Sequence, residues 1–483
     1  MSNLIPAILT FTFWLLTARV AGAEVIGLVS AIASLVMIIA TIDVLDTSLG
    51  MKRYLGIAIS SGDVGKFKQV LASTILVVAT MITISAVLVA IPNLQILEAV
   101  NIDRQYVWII IPMLLALAFQ YVFSEALISA LQSEKLIIPL LVGLLFRFPL
   151  LFATIYFINA PTIGVLFAYS SFLFISTAFY SIYIMKIFRK TSFPAIANIR
   201  YNTKQVLTAG LASWIPHIIN VLGSQLAIIS VFSLEGSAEG GKFYLAMTIF
   251  TVTLFVVAGI NRVSHPLLAG MGTREQQTGF LSYSMKVAFI FTMPIAMPLL
   301  FFARDFVSLM GREFSSSGET LAIFMVGVPF AIISEMVYYF VYGRGDNKTV
   351  LYLGLGGNVP RIILYFSMIP VFGSNGAALA YLVGSLAALV LSMRIARAHS
   401  LVMHYTSYMT LTAIPLAIGL VTRLMDIQFV ISTAIILFGS LLVYIKLRLF
   451  TDSELHNILY TGLPRNIADK IYPALSKIIN RIA

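Results

Sequence analysis

Two arginines stand in stretches that otherwise suit hydrocarbon: Arg147 in LVGLLFRFPLLF and Arg361 in LGGNVPRIILYFSMIPVF. An arginine at the centre of a membrane helix costs about 2.5–3.5 kcal/mol on insertion scales, so its presence asks for a use. A buried guanidinium offers a fixed positive charge to an anion, or it pairs with a carboxylate and ties helices together. Glu125 precedes Arg147 and Glu335 precedes Arg361, so the residue types admit both uses. Asp43 is a third acid at the edge of an apolar run and, with the two glutamates, a candidate for ion coupling or charge pairing. Other chemistry is less well supplied. There is no cysteine, which excludes thiolate metal sites, disulfides and thiol catalysis. The five histidines show no metal-ligand spacing; His399 and His404 are five apart and so fall on different helix faces. Asp103 and Asp305 sit in loops without a paired constellation, and no phosphate-cradling glycine loop is present. Neither an enzyme, a cofactor nor a metal is expected.

The elements that hold these charges are membrane helices. The chain of 483 residues is 59% hydrophobic and 11% charged, against about 25% charged in soluble domains. Apolar runs of about 20 residues, each enough to cross a bilayer core, fill nearly all of it. Fourteen spans are expected, near 4–20, 25–43, 69–91, 107–130, 136–158, 161–186, 204–233, 241–263, 281–303, 319–342, 349–372, 375–397, 408–424 and 427–447. Sorted by alternate loops, the lysines and arginines fall 23 on one side and 6 on the other, with Arg147 and Arg361 inside spans. The positive-inside rule then places both termini in the cytoplasm of a cell-membrane protein. The net charge of +11 thus reports topology, and no nucleic-acid partner is expected. Ala21-Gly22-Ala23 has the small residues of a cleavage site, but Arg19 and the missing charged lead argue against a signal peptide.

The charges recur. Ser124-Glu125 returns as Ser334-Glu335, and Ile5-Pro6 as Ile215-Pro216, at an offset of 210. Gly27 returns as Gly241, Gly143 as Gly357 and Arg147 as Arg361, at 214. Six spans therefore repeat as six in the same orientation, with two left over, a parallel repeat whose halves meet over a central cavity. The expected fold is all-α and integral to the membrane: two parallel, pseudo-symmetric six-helix bundles and two C-terminal helices. The expected segments are an N-terminal lobe, 1–190; a cytoplasmic linker, 191–203; a C-terminal lobe, 204–398; helices 13 and 14, 399–450; and an amphipathic tail, 451–483.

The block GRGDNKTVLYLGLGGNVPRIILYFSMIPVFGSNGAALAYLVGSL from Gly343, with Ile369-Pro370-Val371-Phe372-Gly373 and Gly376-Ala377-Ala378, resembles polysaccharide-type flippases of the multidrug/oligosaccharidyl-lipid/polysaccharide superfamily. The opening, through Ala18-Arg19, Gly22 and Gly27-Leu28, is similar to theirs. Length, span number and repeat agree over essentially the whole chain. Arg361 departs from the pattern, since those proteins usually carry asparagine or an apolar residue there. The resemblance implies a MATE-like fold and movement of a polyprenyl-(pyro)phosphate-linked oligosaccharide to the outer leaflet by alternating access. It implies a monomer among membrane lipids, with glycan polymerase or glycosyltransferase machinery as partners. Guanidinium suits such a cargo because it grips phosphate oxygens with two parallel hydrogen bonds. Arg147, Arg361, His217, Asn220, Gln225 and Asn358 are the candidate cargo contacts, with Arg19 and Arg262 at span ends as cargo contacts or interfacial anchors. Asn220 and Gln225 equally suit helix-to-helix bonding. An ion-coupled multidrug exporter of the same superfamily is the rival reading; a glycosyltransferase or polymerase is a weaker one, because outer loops near 92–106 and 304–318 are short.

Prolines at 216, 294, 298, 329 and 360 lie inside spans and are expected to bend them. In the tail, Ile467, Ile471, Leu475, Ile478, Ile479 and Ile482 share one helical face, flanked by Lys470, Lys477 and Arg481. This is the pattern of a helix lying on an anionic membrane surface, with a kink expected at Pro473.

Overall fold

The computed structural model describes residues 4–158, 160–188, 196–271, 273–462 and 465–482. Among these there is no β-strand, and eighteen α-helices follow one another. They are α1 Leu4–Val44, α2 Thr47–Ser60, α3 Val64–Ala90, α4 Val107–Ser129, α5 Glu134–Ala153, α6 Pro161–Phe188, α7 Ile196–Glu235, α8 Ser237–Thr253 and α9 Phe255–Gly270. Then come α10 Arg274–Phe301, α11 Ala303–Ser308, α12 Gly318–Val326, α13 Val328–Gly343, α14 Asn347–Ala398, α15 Tyr405–Leu424, α16 Phe429–Lys446, α17 Asp452–Gly462 and α18 Arg465–Ile482.

Ten of these helices are long and apolar enough to cross a membrane, and two bent pairs add one span each. The pairs are α8 with the start of α9, bent by 52°, and a segment ending in α12 with α13, bent by 48°. α1 and α14 have 41 and 52 residues. At 1.5 Å per residue they would run about 60 and 80 Å, far beyond a hydrocarbon core of about 30 Å. Each is interrupted by one glycine in a conformation closed to other residues: Gly22 at φ 80°, ψ 176°, and Gly373 at φ 55°, ψ −137°. Counting two limbs in each restores the fourteen spans expected from hydropathy.

Contacts gather the chain into two compact units. One comprises residues 8–245 and 358–377, the other 1–7, 246–357 and 378–483. In the first, α2, α3 and α7 pack on one another, α4 packs on α2 and α3, and α6 lies between α4 and α5. In the second, α10 is the central post, against which α9, α12, α13, α15 and α16 are laid. Its buried side chains are mostly apolar, among them Met285, Ile290, Met293 and Met297, alongside Ser284 and Thr292. By contrast α15 and α16 keep Leu416, Leu420, Phe438 and Leu442 exposed, as a lipid-facing surface requires. The α14 N-terminus is capped by Asp346, which accepts from the Thr349 backbone N–H at 3.1 Å and hydroxyl at 2.7 Å. Those hydrogen bonds hold its carboxyl below the usual carboxylate range.

The repeat is visible in backbone detail within the first unit. Gly22 and Gly236 both have positive φ and are 214 residues apart. A Cβ placed on Gly27 would lie 1.8 Å from the Ser237 carbonyl oxygen and 2.8 Å from the Gly241 nitrogen. A Cβ on Gly241 would lie 2.0 Å from the Ala23 carbonyl oxygen and 2.9 Å from the Gly27 nitrogen. Ala23 and Ser237 are again 214 apart, so the contact is reciprocal. A local two-fold axis therefore passes between the second limb of α1 and α8. Small residues are what let two membrane helices approach so closely.

Pro473 lies inside α18, which runs Arg465–Ile482. The segment between spans 2 and 3 forms a further helix, α2, that packs against α3, α4 and α7.

Candidate functional site

Arg147 projects from α5 and is 2% exposed. Gly143, one turn earlier, makes room for it: a Cβ there would stand 2.9 Å from the Phe172 Cα, so α5 and α6 touch backbone to backbone. The guanidinium carbon consequently lies 4.2 Å from the centre of the Phe172 ring, 5.1 Å from Tyr169 and 5.2 Å from Phe13. Nη2 donates to the Tyr169 carbonyl oxygen at 3.2 Å, while Nε has no acceptor. Trp14 backs this box, with its ring centre 5.6 Å from Tyr169 and 4.8 Å from Tyr244. Among the described residues no carboxylate partners Arg147, and Glu125 stands half-buried on α4. Ring faces stabilise a desolvated cation by about 2 kcal/mol each, enough to offset an insertion cost of about 2.5–3.5 kcal/mol. They do so without cancelling its charge.

Arg361 sits in polar surroundings. Its Nη1 donates to the Asn358 Oδ1 at 3.0 Å, and the Asn358 Nδ2 donates to the Asn220 Oδ1, also at 3.0 Å. One turn beyond Arg361, the Tyr365 hydroxyl donates to the Gly223 carbonyl oxygen at 2.7 Å. Residues 358, 361 and 365 of α14 thus meet residues 220 and 223 of α7 along one helix face each. The seat is Gly223, where a Cβ would fall 2.0 Å from the Asn358 Oδ1. Tyr365, Asn358 and Arg361 are 0%, 5% and 9% exposed, whereas Asn220 is exposed. The cluster is a polar ladder from a sealed end to an open one.

The other sequence candidates are dispersed. His217, one turn before Asn220 on α7, lines a separate cavity of about 140 Å³ with Met37, Thr41, Asp46 and Tyr121. The Gln225 amide donates to Ser224 at 3.4 Å and does not join the Asn220 ladder. Asp43 is fully buried; its Oδ1 accepts from the Ser85 hydroxyl at 2.6 Å and its Oδ2 has no partner. Arg19 is exposed near the end of the first limb of α1, and Glu335 is half-buried on α13. The Arg262 side chain lies outside the described residues. No group of three or more metal-ligating side chains occurs among the described residues.

The sequence singles out the two arginines, the amides and Asp43, but not the residues beside them: Phe13, Tyr169 and Phe172 around Arg147, Gly223 and Tyr365 near Arg361, and Ser85 on Asp43. The glycine one turn before Arg147 was the available signal, since it marks the face where the next helix comes closest.

The sequence matches no family profile, and no curated protein aligns with it. Its fold is nevertheless shared with solved structures. A structure of the lipid II flippase MurJ in an inward closed conformation superposes with a TM-score of 0.72, at 14% identity, over 92% of this chain and 96% of that one. An inward-facing multidrug resistance MATE transporter of the MOP superfamily gives 0.68 at 14% identity, over 82% and 94%. A point mutant of the Vibrio cholerae MATE transporter VcmN gives 0.60 at 14% identity, over 82% and 95%. The chain shares the fold of these structures and is a multi-pass membrane protein.

Proposed function

We propose that the protein is a transporter of the flippase kind, moving a lipid-linked saccharide with a phosphate or pyrophosphate head group from the cytoplasmic to the outer leaflet. The observation that carries this reading is Arg147, a cation held inside a span with rings and a carbonyl for partners and no carboxylate among the described residues. A fixed positive charge in low dielectric repels cationic cargo and attracts anions. Arg361, with Asn358 and Asn220 beside it, supplies the guanidinium and amide groups that phosphate and sugar hydroxyls accept and donate to. The fold shared with a lipid II flippase supports the same reading, as does the short reach of the outer loops, which leaves no room for a catalytic domain.

Two six-helix lobes, 1–190 and 204–398, alternate access. Both termini face the cytoplasm, where the glycan machinery hands over its product. Fully buried Asp43 is the group for ion coupling, since an intramembrane carboxylate marks an ion or proton path by default. Nucleotide hydrolysis is not the energy source.

The test is a binding competition on the purified protein in detergent. A polyprenyl-pyrophosphate-linked saccharide should bind saturably, and a lipophilic cationic dye should neither bind nor compete. Saturable dye binding with no response to the anionic lipid would instead favour the multidrug exporter.

A further inference from the structure

The C-terminal pair α17 and α18 is folded onto the second unit and held there by specific contacts. Lys286 on α10 forms a salt bridge with Glu454 on α17 at 2.5 Å, and Glu454 also accepts from the Thr451 backbone N–H at 2.8 Å. Between the two helices, the Tyr472 hydroxyl donates to Asp452 at 2.8 Å and the Tyr460 hydroxyl to Asp469 at 2.6 Å. His456 stacks on Tyr460 with ring centres 4.3 Å apart and meets Tyr472 edge-on at 5.1 Å. α18 also packs on α16, a membrane-length helix whose exposed face carries Phe438 and Leu442.

At about 100° per residue, α18 divides into sectors. Ala468, Tyr472 and Ile479 turn toward the body, with Ala468 and Ile479 at 0% and 5% exposure. About a quarter turn away lie Ile467, Ile471 and Leu475, of which the last two remain 38% and 37% exposed although apolar. A further quarter turn carries Lys470, Lys477 and Arg481, all exposed. Asp469 and Asn480 occupy the remaining side, exposed as well. The apolar stripe is therefore uncovered, and it is bordered by protein on one edge and by three cations on the other.

We infer that this stripe is a lipid-binding surface for the anionic membrane leaflet into which α16 runs. α16 ends at Lys446 and α17 begins at Asp452, so the pair is tethered within a few residues of the end of a span. The apolar side chains enter the acyl boundary while the cationic row meets lipid phosphates; each basic residue near such a surface adds to the attraction. Because α17 and α18 are clamped to α10 and α16, lipid charge bears directly on the central helix of that unit. A protein partner is the other occupant such a stripe could take, and the cationic row and the lipid-facing neighbour decide against it.

The test uses the full chain, which has no native cysteine. Leu475→Cys, labelled with an environment-sensitive fluorophore, is placed in nanodiscs of phosphatidylcholine alone or with phosphatidylglycerol. Emission should shift to shorter wavelength in the anionic discs, and high salt should diminish the shift. The triple change Lys470→Glu, Lys477→Glu, Arg481→Glu should abolish it while the α17 hydrogen-exchange protection, set by Lys286–Glu454 and the tyrosine bonds, stays. Emission that is water-like in both discs, or indifferent to lipid charge and to the triple change, would overturn the inference. Transport is not read in this assay, so its outcome is independent of the cargo.

Discussion

Arg147 and Arg361 occupy equivalent places in the repeat, each one turn after a glycine, but their surroundings have diverged. Arg147 is boxed by Phe13, Tyr169 and Phe172, while Arg361 is bonded to Asn358 and, through it, to Asn220. The first arrangement fixes a charge in space; the second presents donors beside an exposed amide. Arg147→Met tests this division. Methionine refills much of the volume between the rings, and removing the charge relieves its insertion cost. Abundance and melting temperature should stay near those of the parent. Affinity for the anionic lipid-linked saccharide should fall about ten- to a hundred-fold, the loss of a charged hydrogen bond worth about 1.5–3 kcal/mol. Reduced abundance with undiminished affinity would make Arg147 purely structural. The sequence made both arginines legible because a charge interrupts an apolar run. It could not separate their roles, because Phe13 lies 134 residues from Arg147 and only the folded chain joins them.

At the scale of elements, glycines decide which helices meet. Gly143 admits Phe172 against α5, Gly223 seats Asn358, and Gly27 meets Gly241 across a local two-fold axis. The last contact predicts matched variants. Gly27→Ala and Gly241→Ala each drive a Cβ into the partner backbone, at 1.8 and 2.0 Å, so α1 and α8 must separate. Overpacking of this kind costs about 1–3 kcal/mol, and thermal melts of the two variants should fall by similar amounts. A large loss for one with none for the other would contradict the two-fold relation. Each span expected from hydropathy falls on a helix or a bent helix pair, since a run of twenty apolar residues leaves little alternative. Hydropathy did not see α2, whose Lys52 and Arg53 keep its mean hydropathy low, nor the joins at Gly22 and Gly373, where one backbone conformation merges two limbs into one long helix. Periodicity did reveal the apolar face of α18, but not which residues of it the body covers.

At the scale of the whole molecule, two intramembrane cations sit in a multi-pass helical fold shared with MurJ and MATE structures, and the proposed anionic cargo follows from their charge. The shared fold is compatible with several cargoes, so the charge carries the weight. The decisive measurement is flipping in proteoliposomes, with a fluorescent polyprenyl-pyrophosphate-linked saccharide supplied to one leaflet and no nucleotide present. The parent protein should move it. Arg361→Ala should abolish movement at normal abundance, and Arg361→Lys should restore it in part, because a point charge replaces a planar fork. If Arg361 served only to answer the charge of Glu335, Arg361→Ala would destabilise the protein by leaving that acid uncompensated, and adding Glu335→Ala would recover both stability and transport. The double variant Arg361→Ala, Glu335→Ala should remain inactive; a double variant that flips the saccharide at the parent rate would show that Arg361 does not bind the cargo.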